Sequence, residues 1–366
     1  MGLCGAGFAG KFHAYGINRA YGVDAQVSVL CEPNRELAEA VAAKYGIPRI
    51  CADFKELLRD DTINVVDLCT PTNMHHTMIE EALAAGKHVI CEKPLTGYFG
   101  EPGDPQLVGE VGRRQMYDVV TARLERLREA VKKSGLLFMY AENWIYAPAV
   151  AKTAEILRAS KDKIMLMKAD ESHSGAHTRL ADEWKNSGGG ALIDWGVHYL
   201  DIVMYCCGDP APLTVSGEAF SRLGRDIKGY TCTSMWAGPR AENGVYDVDD
   251  SVTALIRTEG PVISVHGAWA QNIGEEERYI DFMGDKAGIR LQYGKGFTLY
   301  TAEDGALVTA KPEFEMSDMF QNEIDAFVRC VRTGEKLPSH IDTVLPTARM
   351  MQAIYDSSDS KREIIL

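Results

Sequence analysis

The feature that most constrains this chain is Gly5-Ala6-Gly7-Phe8-Ala9-Gly10, a G-x-G-x-x-G run directly behind the apolar pair Leu3-Cys4. The first glycine permits a tight turn and the second lets a pyrophosphate approach the backbone. The third lets the following helix pack close, so that its N-terminal amides face an anion. Alone, such a loop is a weak signal. Its force comes from Glu32, which closes the next apolar run, 22 residues beyond Gly10. An acidic side chain there accepts bonds from ribose hydroxyls and repels a 2′-phosphate, so NAD is expected as cofactor and NADP less so. Only four residues precede Gly5, short for a central strand. A start upstream and an abbreviated strand are the alternatives.

Short apolar runs alternate with helical patterns from there on. Val27–Cys31, Asn64–Cys69, Lys87–Cys91 and Leu136–Tyr140 read as strands. Helices are expected from the glycine loop through Tyr21, and over Arg35–Tyr45, Met74–Ala85 and Asp118–Lys133. Strand–helix alternation with short connections predicts a doubly wound parallel sheet, here assigned to residues 1–142 as an α/β nucleotide-binding domain. Residues 143–366 change rhythm. Helices Ala149–Arg158 and Ala191–Cys206 accompany strand-like runs at Lys163–Glu171, Leu213–Arg222, Asp250–Arg257, Val262–Ala270, Arg278–Met283 and Ile289–Gln292. This predicts a second α/β domain with a large, mostly antiparallel open sheet, closed by helices over Met319–Arg329 and Thr343–Ser357. Gly97–Gly112 breaks the pattern with five glycines and two prolines. A mobile flap is one reading of it, and an oligomer contact or plain insertion the other.

A formal net charge of −13 argues against nucleic acid or an anionic membrane as partner, because either would be repelled. The N-terminus has no basic, apolar signal pattern, and no run is long enough to span a bilayer. Nine cysteines include no C-x-x-C pair, which suits buried thiols in a reducing cytoplasm. Cys206-Cys207 reads as helix packing.

Three further stretches resemble the glucose–fructose oxidoreductase and inositol dehydrogenase family (Gfo/Idh/MocA). They are Thr70-Pro71-Thr72-Asn73-Met74-His75, the run Gly86-Lys87-His88-Val89-Ile90-Cys91-Glu92-Lys93-Pro94-Leu95, and Gly188-Gly189-Gly190-Ala191-Leu192-Ile193-Asp194-Trp195-Gly196-Val197-His198. The resemblance implies a Rossmann domain and an open-sheet domain whose face forms dimers or tetramers. It also implies that Thr70, Pro71, Asn73, His75, Glu92 and Lys93 join the glycine loop around the nucleotide. Asp194 and His198 would face Lys93, with His75 closing the nicotinamide pocket. The Gly97–Gly112 insertion is a departure from the family pattern.

Oxidising a secondary alcohol removes a hydride and a proton from one centre, and the proton needs a base with a pKa near the working pH. Histidine meets that without special tuning. Asp194 and His198, spaced i, i+4, share a helix face. His198 is assigned as base, Lys93 as alkoxide stabiliser and Asp194 as orienter, the first two being exchangeable. An Asp/His pair at this spacing is otherwise an ordinary helix-stabilising pair. Asn143, Tyr146, His173, His177 and Trp184 are candidates for binding a sugar, with either aromatic equally readable as core. His173, His177, Asp194 and His198 could be imagined as a metal site, but the Ser- and Gly-rich loop is a poor ligand frame, and no metal is expected.

The expected activity is NAD-dependent oxidation of a sugar, glycoside or polyol hydroxyl, including 3-oxidation of glycosides, by a homo-oligomer. Rival readings are a redox-neutral glycoside hydrolase or transferase that retains NAD, a nucleotide-sensing regulator, and a metal-dependent isomerase or lyase.

Overall fold

The computed structural model describes residues 1–173, 182–221 and 245–366. The strands are β1 (Gly2–Cys4), β2 (Val29–Cys31), β3 (Arg49–Cys51), β4 (Val65–Leu68), β5 (His88–Glu92), β6 (Phe138–Ala141), β7 (Ile164–Ser172), β8 (Pro212–Phe220), β9 (Ser251–Thr258), β10 (Val262–Ala268), β11 (Glu277–Gly284), β12 (Ala287–Gln292), β13 (Gly296–Glu303), β14 (Ala306–Ala310) and β15 (Ile364–Ile365). The helices are α1 (Phe8–Ile17), α2 (Arg35–Tyr45), α3 (Phe54–Leu58), α4 (Thr72–Ala84), α5 (Arg113–Ser134), α6 (Pro148–Ser160), α7 (Trp184–Ser187), α8 (Val197–Cys207), α9 (Met319–Thr333) and α10 (Ile341–Ser360).

Two compact units divide the chain. The first comprises Met1–Thr96, Arg123–Tyr146 and Ser317–Val344, and the second Gly97–Ala122, Ala147–Met316 and Leu345–Leu366.

A six-stranded parallel sheet in the order β3-β2-β1-β4-β5-β6 forms the first unit, the doubly wound arrangement expected. The short β1 is nonetheless central, with Leu3 pairing Leu30 on one side and Asp67 on the other. Local chemistry sets α2. Asn34 caps it by accepting the Leu37 amide at 3.1 Å, and Gly46 ends it in the left-handed region at φ 70°. Helix α9 returns to pack on α1, where Phe320 stacks on Phe12 at 4.4 Å between ring centres.

The second unit is built on a nine-stranded sheet in the order β14-β13-β12-β11-β7-β10-β9-β8-β15. Only β7 and β10 run parallel, so the mostly antiparallel expectation holds. Alternation sends Met167, Ala169, Ile256, Val265, Phe282 and Leu291 to the buried face, which α6 and α8 help to cover.

The insertion belongs to the second unit and is tied into it. Tyr98 is fully buried and donates to Asp104, whose other oxygen accepts from Gln115 at 3.1 Å. The Gly109 amide donates to Asp247 at 2.8 Å, and the other Asp247 oxygen accepts the Trp184 amide at 2.7 Å. Gly97 and Gly188 meet backbone to backbone, since a Cβ on Gly97 would lie 2.8 Å from the Gly188 Cα. These bonds make the segment a strap across the triple-glycine turn. Helix α5 starts at Arg113 rather than Asp118, directly behind that strap.

Candidate functional site

In the first unit the glycine loop has the geometry its sequence demands. Gly5 sits at φ 97°, and a Cβ there would lie 2.3 Å from the Cys69 carbonyl oxygen. A Cβ on Gly10 would lie 2.2 Å from the Gly5 carbonyl oxygen, so α1 approaches β1 only because no side chain intervenes. A Cβ on Gly7 meets nothing within 4 Å, leaving open space before the α1 N-terminus. Glu32, just past β2, accepts the Ala6 amide at 3.0 Å through one oxygen and the Asn34 amide at 2.9 Å through the other. Phe8 and Ala9 open α1, with Phe8 exposed.

Beyond β4, Thr70 and Pro71 lead into α4. The Asn73 side-chain oxygen is buried with no hydrogen-bond donor among the described residues, an acceptor a bound nucleotide could satisfy. His75 is buried, with one ring nitrogen 2.9 Å from the Thr70 carbonyl and the other 2.9 Å from the Pro94 carbonyl. Burial pulls its pKa down, and a neutral ring has one N–H, so it donates to one of these two carbonyls at a time. Glu92 ends β5 with a side chain that accepts the Lys93 amide at 3.0 Å. Burial alone would push this carboxyl up, but a hydrogen bond and charge from His13, with the Lys93 charge, hold it below the usual range. Loop, orphaned acceptor and acidic residue fit a dinucleotide.

Asn143 also lies in this unit, donating to the Met319 sulfur at 3.3 Å. Tyr146 is buried, its hydroxyl 2.6 Å from Ser339 Oγ.

The second unit carries the histidine candidates. The triple glycine is a packing requirement: a Cβ on Gly190 would lie 1.8 Å from the Asp249 carbonyl oxygen. The buried Asp249 carboxyl accepts the Gly190 amide at 2.7 Å, the Leu192 amide at 2.9 Å and the Tyr355 hydroxyl at 2.6 Å. Burial raises its pKa despite these donors. From this anchor the chain enters a π turn, Leu192–Gly196, and only then α8. The expected plain α-helix is thus wider at its start, in the turn that holds Asp194, and His198 follows in the first turn of α8. Such widened turns recur at functional sites. Trp184 is fully buried, 5.0 Å from the Tyr355 ring and under the Arg113 guanidinium.

At the end of β7, His173 packs 3.9 Å from the Trp195 ring. Its ring nitrogens lie 3.7 Å from Glu171 and 3.5 Å from Glu276. His177 lies outside the described residues. Sequence reasoning did not single out Glu171, which is buried among Arg278 at 3.0 Å, the Tyr293 hydroxyl and His173. Burial would raise its pKa, yet His173, Arg278, Tyr293 and the charge of His198 together hold it low. The one available signal was position. In a strand that alternates inward and outward, Glu171 falls on the inward side, where a carboxylate needs partners.

Residues 162–366 match the C-terminal α/β domain of the GFO_IDH_MocA oxidoreductase family, and residues 1–102 match that family's NAD-binding Rossmann domain. The chain belongs to this family. It is an oxidoreductase with an NAD-binding domain, and the expected fold and cofactor class stand. Among its relatives is D-glucoside 3-dehydrogenase from Escherichia coli, 26% identical over 100% of this chain and 97% of the relative. Levoglucosan dehydrogenase from Pseudarthrobacter phenanthrenivorans is 29% identical, covering 82% of this chain and 75% of its own length. A solved levoglucosan dehydrogenase with NADH and levoglucosan aligns with TM-score 0.79 at 22% identity, over 100% of this chain and 98% of the other. An oxidoreductase domain protein from Kribbella flavida aligns with TM-score 0.81 at 21% identity, over 100% and 98%. At these identities the structural matches speak for the fold. No helix among the described residues is long and apolar enough to cross a membrane.

Proposed function

We propose that this chain interconverts a secondary hydroxyl and a ketone on a sugar, glycoside or polyol, with 3-oxidation of a glycoside as the narrower reading. The observation that carries this is the presence in one chain of an intact nucleotide loop and, in the second unit, of a buried carboxylate–histidine cluster, Glu171, His173 and His198, at the end of β7 and the start of α8. Relatives named for glucosides, levoglucosan and inositol support the substrate class.

Bound NAD supplies the hydride acceptor. His198 takes the hydroxyl proton, and the Lys93 ammonium stabilises the alkoxide that develops. Asp194, on the widened turn, orients His198 or binds a neighbouring hydroxyl. Glu171 presents negative charge to His198 and favours the imidazolium formed when it accepts the proton. His173 packs against the Trp195 ring at a tilt of 56°, and this pair is the proposed sugar contact, with Asn143 as the proposed amide donor to its hydroxyls. Glu32 makes NAD the preferred cofactor over NADP, because a 2′-phosphate would meet its charge.

The His198→Ala variant is the test. It should bind NADH with unchanged affinity and lose at least about 100-fold in kcat, the size of one general base. Equal turnover by variant and parent would remove His198 from this role.

We further propose a homo-oligomer that buries the open face of the nine-stranded sheet, where Leu166, Leu255, Met283 and Tyr300 are exposed. Light scattering after size exclusion tests this, and a monomer at micromolar concentration would contradict it. The described cysteines are all free thiols, which supports a reducing, cytoplasmic setting.

A further inference from the structure

His13 has no part in the chemistry above, yet three carboxyl groups lie within 4.0 Å of its ring nitrogens. It lies on α1, only 1% exposed, and carboxylates from two strands close on it. Its Nδ1 lies 3.0 and 2.9 Å from the two Asp67 oxygens of β4, and its Nε2 lies 3.1 Å from Glu92 of β5. A neutral imidazole has one N–H, so two carboxylate partners on opposite nitrogens require the imidazolium. The other groups facing this pocket are Cys69 after β4, Glu323 of α9, 4.0 Å from Nε2, and Glu142 after β6. Both Glu323 oxygens are buried without a hydrogen-bond donor among the described residues, and burial pushes that carboxyl well up, which disfavours its charged form. Asp67 and Glu92 are therefore the carboxylates His13 neutralises by direct contact.

The arrangement has a direction. Glu92 uses one oxygen for His13 and the other for the backbone amide of Lys93. On the far side of Lys93, the Pro94 carbonyl lies 2.9 Å from a His75 ring nitrogen. The Lys93 backbone is thus anchored at its amide by Glu92.

We propose that His13 is a positioning residue for Lys93: anchored on Asp67, it holds Glu92, and Glu92 holds the Lys93 backbone. This deepens the proposed function and rests on the role given there to Lys93. Removing His13 frees the Glu92 carboxylate to swing and leaves two buried carboxylates uncompensated near the lysine. Lys93 then loses its placement, and its ammonium is held more tightly in the charged form.

The test is a double-mutant cycle between His13→Gln and Lys93→Met, with methyl glucosides and levoglucosan as substrates, alongside NADH titration by fluorescence. His13→Gln should lower kcat about 10- to 100-fold, the scale of a misplacement near 1 Å. Its NADH dissociation constant should stay within about twofold of the parent's, since the glycine loop is untouched. In the Lys93→Met background the same change should cost less than about threefold, because there is no ammonium left to place. A second readout needs no substrate. Acetylation of Lys93 by acetic anhydride across pH, read by peptide mass spectrometry, should show a higher lysine pKa in His13→Gln. If His13→Gln fails to fold, Glu92→Gln breaks the same link and enters the same cycle. Equal losses from His13→Gln in both backgrounds, or an unmoved lysine titration, would overturn the proposal. Should Lys93→Met keep the parent kcat, the role of Lys93 itself falls and this inference with it. Failure of the cycle alone removes only the inference.

Discussion

Glu32→Ala tests the nucleotide site with magnitudes set by two bonds. In the parent, one Glu32 oxygen accepts the Ala6 amide and the other the Asn34 amide, and each carboxylate oxygen keeps acceptor capacity for a ribose hydroxyl. Ala6 is fully buried, so losing its acceptor leaves an unpaired amide and costs about 1–3 kcal/mol of folding stability. Asn34 is exposed and its amide turns to water at little cost. For NAD, the loss of one hydrogen bond to a charged acceptor costs about 1.5–3 kcal/mol, or about 10- to 100-fold in affinity. For NADP the same change removes a repulsion. Two unit charges about 4 Å apart interact by about 1 kcal/mol in water and about 4 kcal/mol near a protein surface. Taking the low ends, NADP gains about 1 kcal/mol while NAD loses about 1.5, so the Kd ratio moves about 60-fold toward NADP. Calorimetric titration of both nucleotides on parent and variant, at one fixed ionic strength, measures it. An NAD affinity changed less than threefold, with the NADP affinity unmoved, refutes the reasoning.

Other expectations follow from burial and charge. Glu323→Gln should raise the melting temperature near pH 8 and change it little near pH 4. A carboxyl whose pKa is raised on folding contributes stability at low pH and loses it as pH rises through the folded value. An unchanged or lower melting point at pH 8 contradicts the unpaired burial of that side chain. Glu171 has the opposite sign. Its depressed pKa contributes stability above the ordinary value of 4.5 that is lost as acid protonates it. Glu171→Gln should therefore destabilise at pH 7 and converge on the parent toward pH 3 in thermal melts. Gly109→Ala places a Cβ 2.0 Å from the Asp247 carbonyl oxygen, so the strap must lift. Hydrogen exchange should rise in residues 97–112 and in the triple-glycine turn, and unchanged protection in both would show that the strap does not brace that turn.

How much of this was legible in the sequence depends on the range of the interaction. Helix α2 is legible with its observed ends, because its apolar period and the Gly46 stop are local signals that work within one turn. Strand β3 and helix α3 were not read. Three and five residues carry too little periodicity, and they form because β2 offers β3 an edge to pair. The hairpin of β13 and β14 escaped for a related reason: its exposed positions leave no apolar run. The triple glycine was recognised as a motif, but its physical cause, the Asp249 backbone pressed against Gly190, is remote in sequence and could not be read. His13 illustrates the same limit. Nothing in its neighbourhood announces Asp67 and Glu92, which lie 54 and 79 residues away. His75 is expected at the nicotinamide pocket, and its place between the Thr70 and Pro94 carbonyls emerges only once both strand ends are placed.

The most direct test of the account mixes purified protein with NAD and a panel of glucosides, anhydrosugars and inositols, follows absorbance at 340 nm, and identifies the products. The account predicts NADH formed in step with a ketosugar, and at least about 100-fold less of it from His198→Ala. Product release without net NADH would contradict it and point to a cycle that re-reduces its own intermediate, while NAD binding with no product from any sugar would leave a nucleotide sensor.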